Sequence, residues 1–117
     1  MTYVLEVPFP PSINHYWRRV GSRTLISRSG RAFRQSVCDL LSERQVRPLD
    51  GPLAVTVDVY LPDDCCRDLD NLSKSLLDAL EHGHAFHDDH QIETLTLHKR
   101  AIEPPGRAVV TIEQMQP

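Results

Sequence analysis

Acidic side chains and one lysine in the middle of the chain have the types and spacing that suit hydrolysis of a phosphodiester bond. Asp68 and Asp70 are two residues apart, Lys74 follows one helical turn after Asp70, and Asp88 and Asp89 precede a later strand. Hard divalent cations prefer oxygen ligands, and Mg2+ takes one or two carboxylates together with substrate phosphate oxygens. A cation held in this way activates water, and a nearby lysine stabilises charge that builds on the phosphate.

Each acidic pair also has an ordinary structural interpretation. Asp68 and Asp70 would serve as the N-cap and first-turn acid of a helix, which requires no catalytic role. Asp88 and Asp89 would serve as an acidic turn, and only tertiary contact with other carboxylates would change that interpretation. Cys65 and Cys66 are poor candidates for nucleophiles, because the neighbouring acidic residues disfavour a thiolate.

A helix is predicted to position the first acidic pair. Leucines recur at i, i+3, i+7, i+8 and i+11 from Leu69, so the helix opens at Asp68 or Leu69 and ends near Gly83. With the leucines inward, Asp70 and Lys74 lie one turn apart on a shared, more exposed face. If the strand after Asp89 lies beside the strand at 53–61, Asp89 comes close to the start of this helix, and three carboxylates converge.

The other elements predict an α+β fold in one domain, residues 1–117. Apolar residues at helical spacing indicate a helix over 31–44, the segment 12–19 is irregular, and 21–26 forms a short strand or hairpin. Alternating apolar and polar residues indicate four strands, at 2–7, 53–61, 91–100 and 107–113. The last two strands are separated by a proline-rich turn, which predicts a hairpin. We expect a mixed sheet with two main helices packed on it.

Arginines are concentrated in one segment that has no acidic residue, between Glu6 and Asp39. The chain has a net charge of -3 and this segment carries +6, so the rest carries -9. Arginine matches phosphate oxygens two at a time, and the neighbouring Tyr16 and Trp17 offer stacking surfaces, which indicates a nucleic-acid partner. The alternatives are that half of these arginines pair with carboxylates elsewhere, and that the two aromatic residues fill the core or a dimer interface.

Composition excludes several other classes of protein. With 117 residues, 40% of them hydrophobic and 25% charged, the chain has the composition of one globular domain. No apolar stretch is long enough for a bilayer span, and three cysteines, an odd number, do not indicate a disulfide framework. We therefore expect a cytoplasmic protein without a membrane partner or an organic cofactor.

Three motifs together resemble the RusA family of Holliday-junction resolvases over nearly the whole chain. They are the runs Pro8-Phe-Pro-Pro-Ser-Ile-Asn14, Asp68-Leu-Asp-Asn-Leu-Ser-Lys74 and Phe86-His-Asp-Asp-His-Gln-Ile92, supported by Arg31-Ala-Phe-Arg34 and Asp78-Ala-Leu. The resemblance implies a homodimeric, Mg2+-dependent endonuclease, also compatible with Mn2+, that cuts four-way DNA junctions by paired nicks in recombination and repair. A two-fold dimer suits a junction with two symmetry-related strands to cut.

The resemblance also implies roles for individual residues. Asp68, Asp70 and Asp89 would be the catalytic, metal-binding carboxylates, and Lys74 a catalytic cationic helper. The family often has a basic run before its first catalytic Asp, whereas this chain has two acids, two cysteines and only Arg67 there. The expected DNA-binding residues are Asn14, Arg18, Arg19, Arg23, Arg28, Arg31, Arg34 and Arg67. Two other functions remain open: a junction-binding protein that does not cleave, and a less selective nuclease of branched DNA.

Overall fold

The computed structural model describes residues 1–115 and has six strands, three α-helices and one short 3-10 helix. No helix within these residues is long and apolar enough to cross a membrane. The elements in chain order are β1 (Thr2–Pro8), α1 (Ile13–Tyr16), β2 (Trp17–Val20), β3 (Arg23–Ile26), α2 (Arg28–Glu43), β4 (Leu53–Leu61), α3 (Leu69–His82), the 3-10 helix (Asp89–Gln91), β5 (Ile92–Ile102) and β6 (Arg107–Gln114).

The main sheet has the strand order β1-β6-β4-β5, with β4 parallel to β5 and the other pairs antiparallel. The prediction of an α+β fold with a mixed sheet is therefore confirmed. Every second residue of β4 is buried, which is the pattern of a strand with one face on the core. The core also includes Phe33, Val37 and Leu41 of α2, and Leu72, Leu76 and Leu80 of α3.

The predicted hairpin between the last two strands is wrong. β6 lies between β1 and β4, whereas β5 lies at the edge of the sheet and pairs in parallel with β4. Burial explains the difference: Ala108, Val110 and Ile112 of β6 are fully buried, and β5 is mostly exposed or half-buried. The more apolar strand occupies the central position because it buries more apolar area there.

The start of α2 also differs from the prediction by three residues. Ser27 is the N-cap, and its Oγ accepts a hydrogen bond from the Gly30 amide at 2.9 Å. The same hydroxyl donates to the Tyr16 carbonyl at 2.9 Å. A Cβ atom on Gly30 would lie 2.3 Å from that carbonyl oxygen. Only glycine therefore allows α1 and the first turn of α2 to approach each other so closely.

The segment predicted as irregular contains α1 and the strand β2. β2 pairs antiparallel with β3 in a sheet of its own, so the hairpin predicted near 21–26 starts earlier, at Trp17. Gly21 turns the chain with φ of +63°, a conformation that glycine adopts without strain. Tyr16 is fully buried and Trp17 packs against it edge to face, with ring centroids 5.1 Å apart. Tyr16 therefore fills the core, whereas Trp17 is half-buried and packs against it.

Candidate active site

The N-terminus of α3 presents the first group of candidate residues. Asp68 occupies the N-cap position, as predicted, but its side chain caps no backbone amide. Asp70 lies in the first turn, and Lys74 lies one turn later on the same face; all three residues are exposed. The aligned peptide dipoles of this 14-residue helix place partial positive charge at the same end. Two exposed carboxylates and one exposed ammonium group therefore lie near the first amides of α3, which have no acceptor within the helix.

Contacts from other elements hold this end of α3 in place. The buried Ser75 hydroxyl donates to the Pro11 carbonyl and so ties the proline-rich loop to the helix. Lys99, at the far end of β5, donates to the Arg67 carbonyl at 2.9 Å. These two residues position the loops on either side of Asp68. Sequence analysis missed both, because each contact joins residues far apart in the chain.

Arg67 has a partner within the chain. Its guanidinium forms a two-pronged salt bridge with Asp63 and lies 5.3 Å from the centre of the Phe9 ring. The Arg67 guanidinium holds the pKa of the Asp63 carboxyl well below its usual range, and the hydrogen bond to Asp63 raises the pKa of the Cys65 thiol. The raised pKa agrees with the expectation that Cys65 is a poor nucleophile.

Asp89 lies at the opposite end of α3. It begins the 3-10 helix before β5, and its amide donates to Glu81 in the last turn of α3 at 2.7 Å. Carboxylate oxygens of Glu81, Asp88 and Asp89 lie within 4.8 Å of one another. Such a set of oxygen donors fits a hard divalent cation. Glu81 is a candidate ligand that sequence analysis missed, since only the fold brings it to Asp89.

Asp88 has a structural role in this turn. Its carboxylate accepts a hydrogen bond from the His90 amide at 2.9 Å and pairs with the His90 ring, and Gln91 completes a capping box. These contacts lower the pKa of Asp88 and raise the pKa of His90. The interpretation of Asp88 as a turn residue is therefore supported by its contacts.

The predicted convergence of Asp68, Asp70 and Asp89 does not occur within one copy of the chain. β5 does lie beside β4, but the two strands are parallel, so Ile92 pairs with Leu53 at the start of β4. The helix α3 begins at the other end of that strand. With a rise of about 1.5 Å per residue, Asp70 and Glu81 are about 16 Å apart along the helix axis.

Arg34 is half-buried and has two side-chain partners within the chain. Its guanidinium donates to Asp78 at 2.9 Å and to the Tyr16 hydroxyl at 3.0 Å, and Tyr16 donates to the same Asp78 carboxylate. The network joins α1, α2 and α3. The structure thus gives Arg34 structural partners within the chain, and its contact with DNA stays a prediction.

Replacing Tyr16 with Phe should lower the free energy of unfolding by about 1–2 kcal/mol, because Asp78 and Arg34 each lose a hydrogen bond to the buried hydroxyl. The loss should depend on pH, because burial raises the pKa of Tyr16 from its ordinary value of 10.0 to about 12. Between pH 10 and about 12 the folded protein retains the phenol proton of Tyr16, whereas the unfolded chain releases it. This contribution is complete below pH 10 and is lost as pH rises to about 12.

Urea unfolding at pH 7 and between pH 10 and 12 tests this prediction. The difference in the free energy of unfolding between the parent protein and Tyr16→Phe should decrease as pH rises. Tyr60→Phe is the matched control, because the Tyr60 ring stacks under Arg107 at 3.9 Å outside this network. An equal narrowing in both variants would contradict the assignment.

The other five arginines of the basic segment have no carboxylate partner among the residues that the structure describes. Of the six arginines in this segment, only Arg34 forms a salt bridge within residues 1–115. The alternative in which half of them pair with carboxylates is therefore wrong. The exposed arginines without an ion pair in this part of the chain are Arg18, Arg19, Arg23, Arg28 and Arg31. Asn14 is also exposed, and it lines a cleft beside Asp68.

Comparisons with known proteins identify the family of this chain. The family model described as Endodeoxyribonuclease RusA matches residues 8–113. The crossover junction endodeoxyribonuclease RusA of Escherichia coli K12 and that of Enterobacteria phage HK97 are each 34% identical to this chain over 115 residues, and the Shigella sonnei protein is 35% identical. Each alignment covers 97% of this chain and 96% of the relative. The chain therefore belongs to the RusA family of endodeoxyribonucleases.

Proposed function

We propose that this endodeoxyribonuclease resolves four-way DNA junctions as a Mg2+-dependent homodimer in recombination and repair, with residues 1–117 acting as one domain. The observation that carries the proposal is the exposed group Asp68, Asp70 and Lys74 at the N-terminus of α3. The chain that presents it is about one-third identical, over nearly its whole length, to crossover junction endodeoxyribonucleases.

Carboxylates would hold the cation, and Mn2+ would substitute for Mg2+ because both accept oxygen ligands. When bound, the cation supplies an activated water and screens the phosphate charge. Asp68, Asp70 and Asp89 provide the ligands in this proposal. Lys74 donates to a phosphate oxygen and stabilises the negative charge that develops there. The free amides at the start of α3 orient the same phosphate.

The distance along α3 indicates that each site draws on two copies of the chain. Asp70 and Asp89 are too far apart in one copy to share a cation. Asp70, Lys74, Leu77 and Glu81 follow one another at i, i+4, i+7 and i+11, so they form a single stripe along α3. Asp70 is at one end of the stripe, and Glu81, which contacts Asp89, is at the other.

A two-fold axis near the middle of this stripe would place two α3 helices antiparallel. The partner's Asp89 would then meet Asp68 and Asp70, and the symmetry would create a second, equivalent site. Leu77 is half-buried and Leu95 on the neighbouring β5 is 41% exposed, so apolar area is present for such an interface. We propose that this face of α3 and β5 forms the dimer interface.

Replacing both Arg18 and Arg23 with Ala should weaken junction binding and reduce its dependence on salt. Both side chains are exposed on the β2–β3 hairpin. They face the same side, because Arg18 and Val20 are alternate residues of β2 and Arg23 pairs directly with Val20. Each lost phosphate contact should lower the slope of log affinity against log salt by about 0.9 on duplex arms, so we expect a decrease of about 1.8.

Fluorescence anisotropy with a labelled junction at several salt concentrations measures this slope. Arg47→Ala is the matched control, because Arg47 is also exposed but lies after α2, outside the basic segment. A double variant with the slope of the parent protein would exclude the hairpin from the DNA interface.

A substrate panel separates the remaining candidates. A junction-specific resolvase cuts the four-way junction and leaves the linear duplex intact. A less selective nuclease cuts flaps and forks at rates similar to that of the four-way junction. A protein that only binds junctions leaves every substrate uncut.

A further inference from the structure

A cleft of about 670 Å³ lies beside Asp68, between the proline-rich loop, the first turns of α2 and the start of α3. Its volume falls within the range of about 300–1,000 Å³ that is usual for ligand sites. We propose that this cleft receives one unstacked nucleobase from the DNA strand that is cut. The inference rests on the proposed function, because it takes the phosphate beside Asp68 to be the one that is hydrolysed.

The lining of the cleft matches the two kinds of surface on a base. Phe9, Phe33 and Leu72 supply apolar contacts for its flat faces. Asn14 and Asn71 line the same cleft, and an asparagine side chain offers both a donor and an acceptor for the polar edge. Binding of an extruded base by apolar contacts and edge hydrogen bonds is how enzymes that act on flipped nucleotides read them.

The cleft is less suited to the sugar-phosphate backbone. Among its lining residues, Arg67 is the only arginine or lysine, and its guanidinium is already paired with Asp63. A channel that follows a DNA backbone is lined by several cations instead. The cationic side chains of Arg18, Arg19 and Arg23 are on the separate hairpin. The backbone contacts and the base contact are therefore assigned to different surfaces.

The position of the cleft couples base binding to the cut. Asp68 lines it, and Asp70 follows in the first turn of α3. A base held here would belong to a nucleotide next to the phosphate at these carboxylates. Unstacking a base costs least where its pairing or stacking is already disturbed, as at the branch of a junction. The cleft would thus favour branched DNA over a regular duplex.

Filling the cleft tests this proposal. Ser36 lines it from an exposed position on α2, so Ser36→Phe should occupy the space without disturbing the core. Ala32→Phe fills it from one turn earlier and replaces Ser36→Phe if thermal melting shows that variant to be destabilised. Gln35→Phe is the matched control, because Gln35 is exposed on the same helix but does not line the cleft.

Single-turnover cutting is measured on junctions in which the base is removed from one nucleotide at a time around the cut. For the parent protein and Gln35→Phe, removal at one position should slow cutting at least tenfold. Ser36→Phe should cut the intact junction at least tenfold more slowly, with no further loss when that base is absent. The proposal would be overturned if Ser36→Phe cut the intact junction at the rate of the parent protein. It would also be overturned if removal of the base slowed Ser36→Phe by the same factor as the parent protein.

A second measurement does not depend on cleavage. With 2-aminopurine at the same nucleotide and EDTA present, binding of the parent protein should change the fluorescence, and binding of Ser36→Phe should not. If the parent protein changes the fluorescence but never cuts, the nuclease assignment fails while the cleft proposal stands. If it cuts but gives the same fluorescence as Ser36→Phe, only the cleft proposal fails.

Discussion

Replacing Asp70 with Asn should reduce cutting of a four-way junction at least about a hundredfold while leaving junction affinity close to that of the parent protein. Loss of a residue that merely supports a metal ligand already costs about 10–100-fold, so loss of the ligand itself should cost at least as much. Affinity should persist, because the arginines on the β2–β3 hairpin and at the start of α2 remain available to phosphates.

A labelled synthetic junction, tested beside a linear duplex of the same sequence with Mg2+ or EDTA, measures both properties. Asp39→Asn is the matched control, because Asp39 is an exposed aspartate of α2 that accepts a hydrogen bond only from Gln35 among the described residues. Paired nicks by the parent protein and by Asp39→Asn, absent with EDTA, are the expected result. Normal cutting by Asp70→Asn would exclude the site at the start of α3.

A mixture of Asp70→Asn and Asp89→Asn chains should regain cutting that neither variant shows alone. If each site combines Asp70 from one copy with the partner's Asp89, the mixed dimer has one site with both substitutions and one intact site. It should therefore nick one strand and accumulate nicked junctions instead of resolved products. Sites made within one copy would leave the mixed dimer with two damaged sites and no activity.

Co-expression with two affinity tags isolates the mixed dimer for this measurement. The reciprocal control pairs the parent chain with a chain that carries both substitutions. In sites shared between copies, that dimer has one damaged ligand in each site and should be inactive. If instead this control nicks and the first mixture does not, each site is built within a single copy.

Several elements could be predicted because their signals are local. The strand β4 has the predicted bounds, since strict alternation of apolar and polar residues over nine positions leaves one face for the core. The bounds of α3 follow from its leucine spacing in the same way. In contrast, α1 and β2 are four residues each, which is too short for a periodic pattern.

The start of α2 could not be predicted from local sequence signals alone. Its start depends on Ser27, whose hydroxyl bonds both to the helix and to the Tyr16 carbonyl. The second partner belongs to an element that the pattern did not predict. Arg34 is similar, because nothing near it in the chain indicates that Asp78, 44 residues away, will hold its guanidinium.

The sequence by itself determined that Asp70 and Lys74 share an exposed helix face at an acidic N-terminus, because helical periodicity is a local property. Only the tertiary structure decided where Asp89 lies. Strand order depends on which strand buries the most apolar area, so the central β6 leaves β5 at the edge beside β4. The crossover through α3 then makes β5 parallel to β4. That pairing places Asp89 beside Glu81, at the end of α3 remote from Asp70.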